Sequence, residues 1–245
     1  MQRVIRHKRP VIAIDGPAGA GKSTLAAHLA RQFGFVNLET GAMYRALALK
    51  AIQQAVALND ESALLELAVQ TRIVPEPRPE GNRVLLDGVD VSRRVRDTDV
   101  TEAASQVSVH PRLRQWMVVQ QQKMGANGGV VMEGRDIGTV VFPDAEVKIF
   151  LDADPEVRGN RRYLQSGPGH RPQEAIVREL KERDARDRNR AESPLRPAED
   201  AIILDSTSMT LDQVLAAAEQ IVRRYLDGDL PAEAGETSLE SGASG

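Results

Sequence analysis

The sequence predicts an α/β fold in which a mainly parallel sheet is covered by helices on both faces. Short apolar runs suit buried strands, apolar residues at helical spacing lie between them, and the two kinds of segment alternate along the chain. The predicted strands cover residues 11–14, 35–38, 130–132, 147–151 and 201–204. The predicted helices cover residues 22–33, 40–52, 61–70, 101–108, 111–124, 155–162 and 174–190, and a last one ends near 227.

Local signals mark the ends of several predicted helices. Gly34 is placed to cap the C-terminus of the first helix, and Thr40 is expected to cap the N-terminus of the next. Pro111 fits the first turn of a helix, where its missing N–H costs nothing. Thr210 and Gln213 have the spacing of a capping box for the last helix.

Three segments depart from the alternating pattern. Residues 72–92 contain an Asp-Gly turn between two alternating strands, within 83–91, and predict a small antiparallel insertion. Residues 166–172 form a turn-rich loop that we expect to be mobile. Residues 228–245 are rich in Gly, Ser, Glu and Ala, and we expect them to be disordered.

Composition excludes several classes of function. The net charge is −3 with 27% charged residues, which gives no electrostatic footprint for nucleic acid or an acidic membrane. The chain has no Cys, so disulfides, thiolate zinc sites and thiol catalysis are excluded. No apolar run is long enough to span a membrane, and residues 1–10 lack the apolar core of a signal peptide. We expect a cytoplasmic monomer without nucleic-acid or membrane partners.

A phosphate-binding loop follows the first predicted strand. Residues 16–23, Gly-Pro-Ala-Gly-Ala-Gly-Lys-Ser, match G-x-x-x-x-G-K-[ST] completely and lead into a helix. Backbone N–H groups of such a loop surround phosphate oxygens, Lys22 neutralises the β- and γ-phosphates, and the Ser23 hydroxyl is a ligand of Mg²⁺. The sequence therefore predicts a P-loop NTPase-type sheet. Its expected ATP-binding residues are Gly16, Pro17, Ala18, Gly19, Ala20, Gly21, Lys22, Ser23 and Thr24.

The P-loop alone leaves the phosphate acceptor open, because GTPases, motor ATPases and small-molecule kinases share it. The chain is short, and it has no GTPase-type Asn-Lys-x-Asp sequence. These two observations favour a kinase of small metabolites.

Arginine-bearing motifs at four places suggest an acceptor site. They are residues 39–45, residues 133–138, the helical face of Arg158, Arg161 and Arg162, and residues 183–190. A phosphate dianion suits the first two, and a lid over ATP suits the third. Each also has a plainer interpretation: a capped helix with a surface Arg, a polar loop with an internal ion pair, a solvated basic face, or surface ion pairs. In the last motif, Arg183, Asp187 and Arg190 share one helical face.

Taken together, these motifs resemble the bacterial cytidylate kinase family. The resemblance runs from about residue 11 to 226. It is carried by residues 14–24, by Thr-Gly-Ala-Met-Tyr-Arg at 40–45, by 104–107, by Gly-Arg-Asp-Ile-Gly-Thr-Val-Val-Phe-Pro at 134–143 and by 183–190. The chain departs from the family pattern at Glu39 and Glu133, where Asp is usual, so the roles of these two positions stay open.

The resemblance implies a nucleoside monophosphate kinase that transfers a phosphate from ATP to CMP or dCMP, with Mg²⁺. It implies a single kinase domain over 1–227, with a P-loop core, an acceptor-binding part at about 40–125 that includes the insertion, and a helical lid at about 158–190.

The resemblance also implies residue roles. Cytosine would be recognised by Ser105, Arg114 and Asp136, and the acceptor phosphate held by Thr40, Arg45 and Arg135. Ribose and phosphates would be contacted by Arg183, Asp187 and Arg190, and Tyr44 is a further expected substrate residue. Arg158 and Arg161 are expected at ATP. The residues expected to act in catalysis are Lys22, Arg135, Arg162, Arg183 and Arg190.

Two alternatives remain open from the sequence. One is a P-loop kinase for another small acceptor, such as UMP, AMP or a shikimate-like molecule. The other is a binding module that uses ATP as a switch. The acceptor-side arginines disfavour the switch, since it needs no second phosphate site.

Overall fold

A five-stranded parallel sheet forms the centre of the protein. The computed structural model describes residues 9–78, 82–166 and 172–228. Along the sheet the strand order is β2-β6-β1-β7-β8. The strands are β1 (Val11–Asp15), β2 (Val36–Glu39), β6 (Val130–Gly134), β7 (Val147–Asp152) and β8 (Ile202–Asp205). The predicted fold class is confirmed.

Alternating apolar side chains of the strands bury both faces of this sheet. Ile12 and Ile14 of β1 pack in one cluster with helices α1 (Lys22–Phe33) and α8 (Leu211–Leu226). Val11 and Ala13, on the opposite face, pack with the π-helical turn Ile137–Val141 and with helix α5 (Pro111–Gly125). A strand covered on both faces must be apolar throughout, and this explains the unbroken apolar run at the start of the P-loop segment.

A second apolar cluster lies beyond β2. It unites α2 (Thr40–Gln53), α3 (Glu61–Gln70), α4 (Thr98–Val107) and α5 with a small three-stranded antiparallel sheet. That sheet consists of β3 (Ile73–Glu76), β4 (Arg83–Leu86) and β5 (Val89–Asp90). The predicted Asp-Gly hairpin is confirmed, since Leu86 pairs with Val89 and both Asp87 and Gly88 have positive φ.

Two helices, α6 (Pro155–Ser166) and α7 (Gln173–Asn189), pack against each other after β7. Most of the predicted mobile loop, residues 167–171, and most of the predicted disordered segment, residues 229–245, lie outside the described residues. In the part of the chain that the structure describes, no helix is long and apolar enough to cross a membrane. The division into core, acceptor-binding part and lid stays a prediction.

Some predicted boundaries were wrong by a few residues. β2 begins and ends one residue later than predicted, α4 begins at Thr98 and α6 continues to Ser166. Thr40 is not the cap of α2, because Glu39 occupies the cap position and Thr40 is the first helical residue. Periodicity did not predict the π-helical turn Ile137–Val141, which is too short for a pattern to show. The capping box of Thr210 and Gln213 is confirmed.

Parallel pairing brings the carboxyl ends of three strands together. Asp15 of β1 is in register with Gly134 of β6, and Glu39 of β2 is in register with Glu133 of β6. Ligands of open parallel sheets bind at this edge. The P-loop and the motifs at 39–45 and 133–138 are therefore neighbours in space although they are distant in sequence.

The packing of α1 against the sheet makes a stability prediction. Leu29 is fully buried between the sheet and α8, so Leu29→Ala should lower the free energy of unfolding by about 2–5 kcal/mol. The matched control is Val69→Ala on α3, where the side chain is 66% exposed, and it should change stability by less than about 0.5 kcal/mol. Urea denaturation followed by circular dichroism measures both. Equal effects would contradict the assigned core.

Candidate active site

The P-loop connects β1 directly to α1. Its first residue, Gly16, has φ +147°, and a Cβ at this position would overlap the carbonyl oxygen of Leu151 in β7. The loop can approach β7 this closely only because Gly16 has no side chain. Lys22, the first residue of α1, is 5% exposed, and its Nζ donates to the Pro17 carbonyl at 2.7 Å. The ammonium group is thus folded back over the loop.

A cavity of about 620 Å³ lies beside the P-loop. Eight cationic side chains and four carboxylates line it, a formal excess of four positive charges. The cations are Lys22, Arg45, Arg96, Arg114, Arg135, Arg162, Arg183 and Arg190, and the carboxylates are Glu39, Glu133, Asp136 and Asp187. Ser23, Thr40 and Tyr44 also line it. Lys22 and Ser23 of the predicted ATP site therefore line the same cavity as all the predicted acceptor residues except Ser105.

The crowded cations in this cavity disfavour one another's charge. Burial, and then the charges of Arg135 and Arg183, lowers the pKa of Lys22 to about 7. Burial and the charge of Arg135 lower the pKa of Arg183 to about 10. Four buried guanidinium nitrogens have no hydrogen-bond partner among the described residues: Nε of Arg45, Arg114 and Arg183, and Nη2 of Arg190. Buried donors without acceptors are costly. The excess of positive charge in the lining suits the cavity to an anionic ligand.

Asp187 of α7 contacts two arginines, one just after β6 and one just after α7. Its Oδ2 accepts from Arg135 Nε at 2.9 Å, and its Oδ1 lies 3.6 Å from Arg190 Nη1. Burial raises the pKa of Asp187, but the charges of Arg135, Arg183 and Arg190 outweigh it and hold the pKa below the usual range. Asp187 therefore stays ionised and fixes the arginine side chains. Arg183, Asp187 and Arg190 all line the cavity, but the predicted common helical face was wrong for Arg190, which lies just beyond the last turn of α7 with extended backbone.

A buried ion pair forms another wall of the cavity. Arg114 of α5 is 3% exposed and donates through Nη2 to Asp136 Oδ2, and its Nη1 donates to the Ser108 carbonyl at 3.1 Å. The guanidinium lies 5.6 Å from the centre of the Tyr44 ring, and burial raises the pKa of Tyr44 to about 12. A neutral phenol, a cation and a carboxylate here offer both donors and acceptors to a polar heterocycle.

Contacts with β2 and β6 hold the residues at the start of α2. Thr40 Oγ1 donates to the Glu133 carbonyl at 2.7 Å, so the hydroxyl joins α2 to β6 and does not cap the helix. Arg45 Nη2 forms an ion pair with Glu39, and Arg96 lies 3.9 Å from the same carboxylate. Glu39 therefore gathers two cations at the cavity wall.

Comparison with known proteins agrees with this geometry. A family-wide sequence profile described as cytidylate kinase matches residues 12–224. The cytidylate kinase of Pasteurella multocida is 47% identical over 219 residues, which cover 89% of this chain and 96% of that protein. The chain belongs to the cytidylate kinase family. Another member, from Geobacter sp. (strain M21), is 46% identical over 230 residues, 92% of this chain and 98% of that protein.

Among solved structures, the similarity is more remote. Shikimate kinase from Acinetobacter baumannii, in complex with shikimate, covers 91% of this chain and 96% of its own length with 15% identity and a TM-score of 0.41. This similarity is too low to indicate which acceptor the chain uses.

Glu133 lies beneath the P-loop, next to Lys22. It is 5% exposed, and burial together with the charge of Glu39 raises its pKa, against the opposing effects of Lys22 and of a hydrogen bond from Ser23. Among the described residues, no three His, Cys, Asp or Glu side chains group as a metal site. Mg²⁺ that accompanies phosphates needs only one or two protein ligands, and the Ser23 hydroxyl beside a buried carboxylate fits that requirement.

A second cavity, of about 370 Å³, lies on the other side of the P-loop. Its lining is mostly apolar and includes Met209, Leu211 and Val214, and Arg161 and Arg162 also contribute. Arg161 is fixed there by Ser206, whose carbonyl accepts at 2.7 Å and whose hydroxyl lies 3.1 Å away. This cavity could not be predicted from the sequence, because the loop that supplies Ser206 and Met209 carries no recognisable motif.

Four predicted site residues line neither cavity: Gly16 and Pro17 of the P-loop, Ser105 and Arg158. Ser105 is 4% exposed, and its Oγ accepts from Arg186 Nε at 3.3 Å, between the cavity-lining residues Ala104 and Ser108. Arg158 is 2% exposed and is hydrogen-bonded to the backbone of the P-loop, so it does not line the expected ATP site. Their roles toward cytosine and ATP stay predictions. Arg96 and Ser108 also lie on the wall of the first cavity but were not predicted, since they lie outside recognisable motifs.

Arg158 joins the P-loop to both helices that follow β7. Its Nη1 donates to the Ala18 carbonyl at 2.8 Å, its Nε donates to the Ala153 carbonyl at 2.7 Å, and its Nη2 lies 2.6 Å from Asp184 of α7. The guanidinium group is thus bound by the protein on three sides. Its position explains why a shared helical face with Arg161 and Arg162 did not place it in either cavity.

Two ion pairs join α6 to α7, the buried Arg158–Asp184 pair and the exposed Lys181–Glu156 pair. Loss of the buried pair should reduce stability much more than loss of the exposed pair. Arg158→Met should lower the free energy of unfolding by about 3–5 kcal/mol, because it leaves Asp184 buried without its cation. The control is Lys181→Met, which removes the exposed pair with Glu156 and should leave stability nearly unchanged. Urea denaturation measures both, and a small loss for Arg158→Met would contradict the anchoring role.

Proposed function

We propose that this protein transfers the γ-phosphate of ATP to CMP or dCMP, giving ADP and CDP or dCDP. The observation that carries the proposal is the shared cavity, in which Lys22 of the P-loop faces the same space as Arg45, Arg135 and the Arg114–Asp136 pair. Family membership supports the same acceptor. Action as a cytoplasmic monomer, with no nucleic-acid or membrane partner, stays a prediction.

On the donor side, the P-loop would hold the triphosphate of ATP through its backbone N–H groups and Lys22. The apolar second cavity suits the adenine base of ATP. The guanidinium of Arg161, which Ser206 holds in place, would lie beside that base. Ser23 would hold Mg²⁺, with Glu133 next to it. When bound, Mg²⁺ neutralises charge on the phosphates and orients them.

On the acceptor side, Arg45 and Arg135 would bind the monophosphate, and Thr40 would support them from the start of α2. Cytosine fits the Arg114–Asp136 pair, since its exocyclic amino group donates and its ring nitrogen and carbonyl accept. Tyr44 lies beside this pair and would pack against the base. Arg183 would contact ribose and phosphates together with Arg190, which lies 3.6 Å from Asp187.

The transfer would need no covalent enzyme intermediate. An oxygen of the acceptor phosphate attacks the γ-phosphorus, and the bond to the oxygen between the β- and γ-phosphorus atoms breaks in line. Lys22, Arg135, Arg162, Arg183 and Arg190 would neutralise the charge that develops on the oxygens. Closure of the lid at 158–190 would exclude water, which would otherwise hydrolyse ATP.

The alternatives make different predictions for the same assay. A kinase for UMP, AMP or a shikimate-like molecule would prefer that acceptor over CMP, and an ATP switch would phosphorylate none of them. Turnover of CMP, dCMP, UMP, AMP and shikimate by the purified protein, followed through ADP release, distinguishes these functions. Preference for an acceptor other than a cytosine nucleotide would overturn the proposal.

Loss of the P-loop lysine should abolish most of the activity. Lys22→Ala is expected to lower kcat by about 10²–10³-fold, because the lost charge acts mainly on the transition state. Far-UV circular dichroism should show an intact fold, and Leu29→Ala, assayed below its melting temperature, controls for general destabilisation. A nearly normal kcat for Lys22→Ala would contradict the P-loop assignment.

Asp136 should decide between cytosine and uracil. Uracil presents a carbonyl oxygen where cytosine has its amino group. That oxygen and the buried Asp136 carboxylate would be two acceptors facing each other, which weakens binding by about 1–3 kcal/mol or more. The wild-type kcat/KM should therefore favour CMP over UMP by a factor of tens or more. Asp136→Asn should narrow this ratio, since an amide can donate or accept.

The control for this variant is Asp227→Asn, an exposed change just after α8 that should leave the ratio unaltered. If wild type prefers CMP and Asp136→Asn keeps the full ratio, Asp136 has no part in base selection.

A further inference from the structure

We propose that Asp15 is a positioning residue that holds the segment Arg135–Asp136 in line with the P-loop. The mechanism above gives Asp15 no role, and it lines neither cavity among the described residues. The inference rests on the proposed function, since it concerns the alignment of a phosphate donor with a cytosine nucleotide acceptor.

The contacts of Asp15 join two separate parts of the chain. The residue ends β1 and is 5% exposed. Its Oδ1 accepts from the backbone N–H of Ile137 at 2.8 Å, and its Oδ2 accepts from the backbone N–H of Gly138 at 2.7 Å. These two N–H groups open the π-helical turn Ile137–Val141, where no preceding turn supplies an acceptor. One carboxylate thus satisfies both.

Each end of this link leads directly to substrate-binding groups. On one side the next residue is Gly16, whose backbone is pressed against Leu151 and begins the P-loop. On the other side the two preceding residues are Arg135, which donates to Asp187, and Asp136, which pairs with Arg114. A shift of the Ile137 backbone would therefore move two acceptor-binding side chains relative to the phosphate donor.

Only a carboxylate of this length satisfies the arrangement. An amide in its place offers one acceptor oxygen and turns an N–H₂ donor toward the second backbone N–H. The absence of a side chain at Gly138 allows the turn to approach Asp15 this closely, since a Cβ there would lie 3.4 Å from Asp15 Oδ2 and 3.2 Å from the side chain of Lys148. Burial raises the pKa of Asp15 to about 6 although both amide groups lower it, so the fold keeps a carboxylate where burial disfavours its charge.

The consequence for the reaction follows from geometry. In-line transfer depends on the distance and angle between the attacking oxygen and the γ-phosphorus, and a misplacement of about 1 Å costs about 10²-fold in rate. The P-loop itself is anchored independently through Arg158 and the contact of Gly16 with β7. Disturbing Asp15 should therefore harm the acceptor side more than the binding of ATP.

The test compares acceptor use with ATP binding in Asp15→Asn. We expect kcat/KM for CMP to fall by about 10²-fold, the KM for CMP to rise and the CMP-to-UMP ratio to narrow. The Kd for ATP, measured by isothermal titration calorimetry, should change by less than about threefold. If Asp15 only stabilised the fold, kcat/KM for CMP, KM for CMP and the CMP-to-UMP ratio would all stay as in wild type at a temperature where the variant is folded.

Two further variants make the outcome decisive. Asp60→Ala removes the carboxylate that caps α3 and lines neither cavity, so it should lower the melting temperature while the CMP-to-UMP ratio stays as in wild type. Asp15→Glu keeps the charge and both acceptor oxygens but lengthens the arm, so a positioning role predicts a loss of kcat/KM for CMP here also, and this variant replaces Asp15→Asn if the latter does not fold.

The proposal is overturned if Asp15→Asn lowers ATP affinity and CMP use in equal measure, if Asp15→Glu behaves as wild type, or if neither variant folds. A wild-type protein that does not phosphorylate CMP would instead refute the proposed function itself.

Discussion

The crowding of like charges at the carboxyl edge of the sheet is the constraint on which the rest of the site depends. Lys22, Arg135 and Arg183 lie close enough to lower the pKa values of Lys22 and Arg183. Such a cluster persists only because buried carboxylates are interleaved with it and because the scaffold is rigid. The parallel register supplies both, since Asp15 is level with Gly134 and Glu39 is level with Glu133.

Much of this arrangement could be predicted from local sequence. The P-loop spacing identified Lys22 and Ser23, because a strand, a glycine-rich turn and a helix each leave a local signal. The helix boundaries 61–70 and the Asp-Gly hairpin were correct for the same reason. The arginine-bearing motifs were found from the residues themselves, each with a plainer surface interpretation, and only the family resemblance gave the individual arginines their roles.

What the sequence could not show is which partner each polar group selects. Thr40 has the residue type and position of a helix cap, yet its hydroxyl donates to a carbonyl of a neighbouring strand. Arg158 shares a helical face with Arg161, yet one binds the P-loop backbone and the other lines the second cavity. These choices depend on which elements pack together, and the second cavity likewise arises from segments far apart in sequence.

The charge balance also explains why the cavity suits two phosphorylated ligands and not one. Its lining has a formal excess of four positive charges. A nucleoside monophosphate brings about −1.5 to −2, which leaves much of that excess uncompensated. Because Arg135 and Arg183 lower the pKa of Lys22, the acceptor arginines interact electrostatically with the lysine of the P-loop. An ATP switch would gain nothing from arginines that disfavour its own lysine, whereas a kinase needs cations for the phosphate of a second ligand.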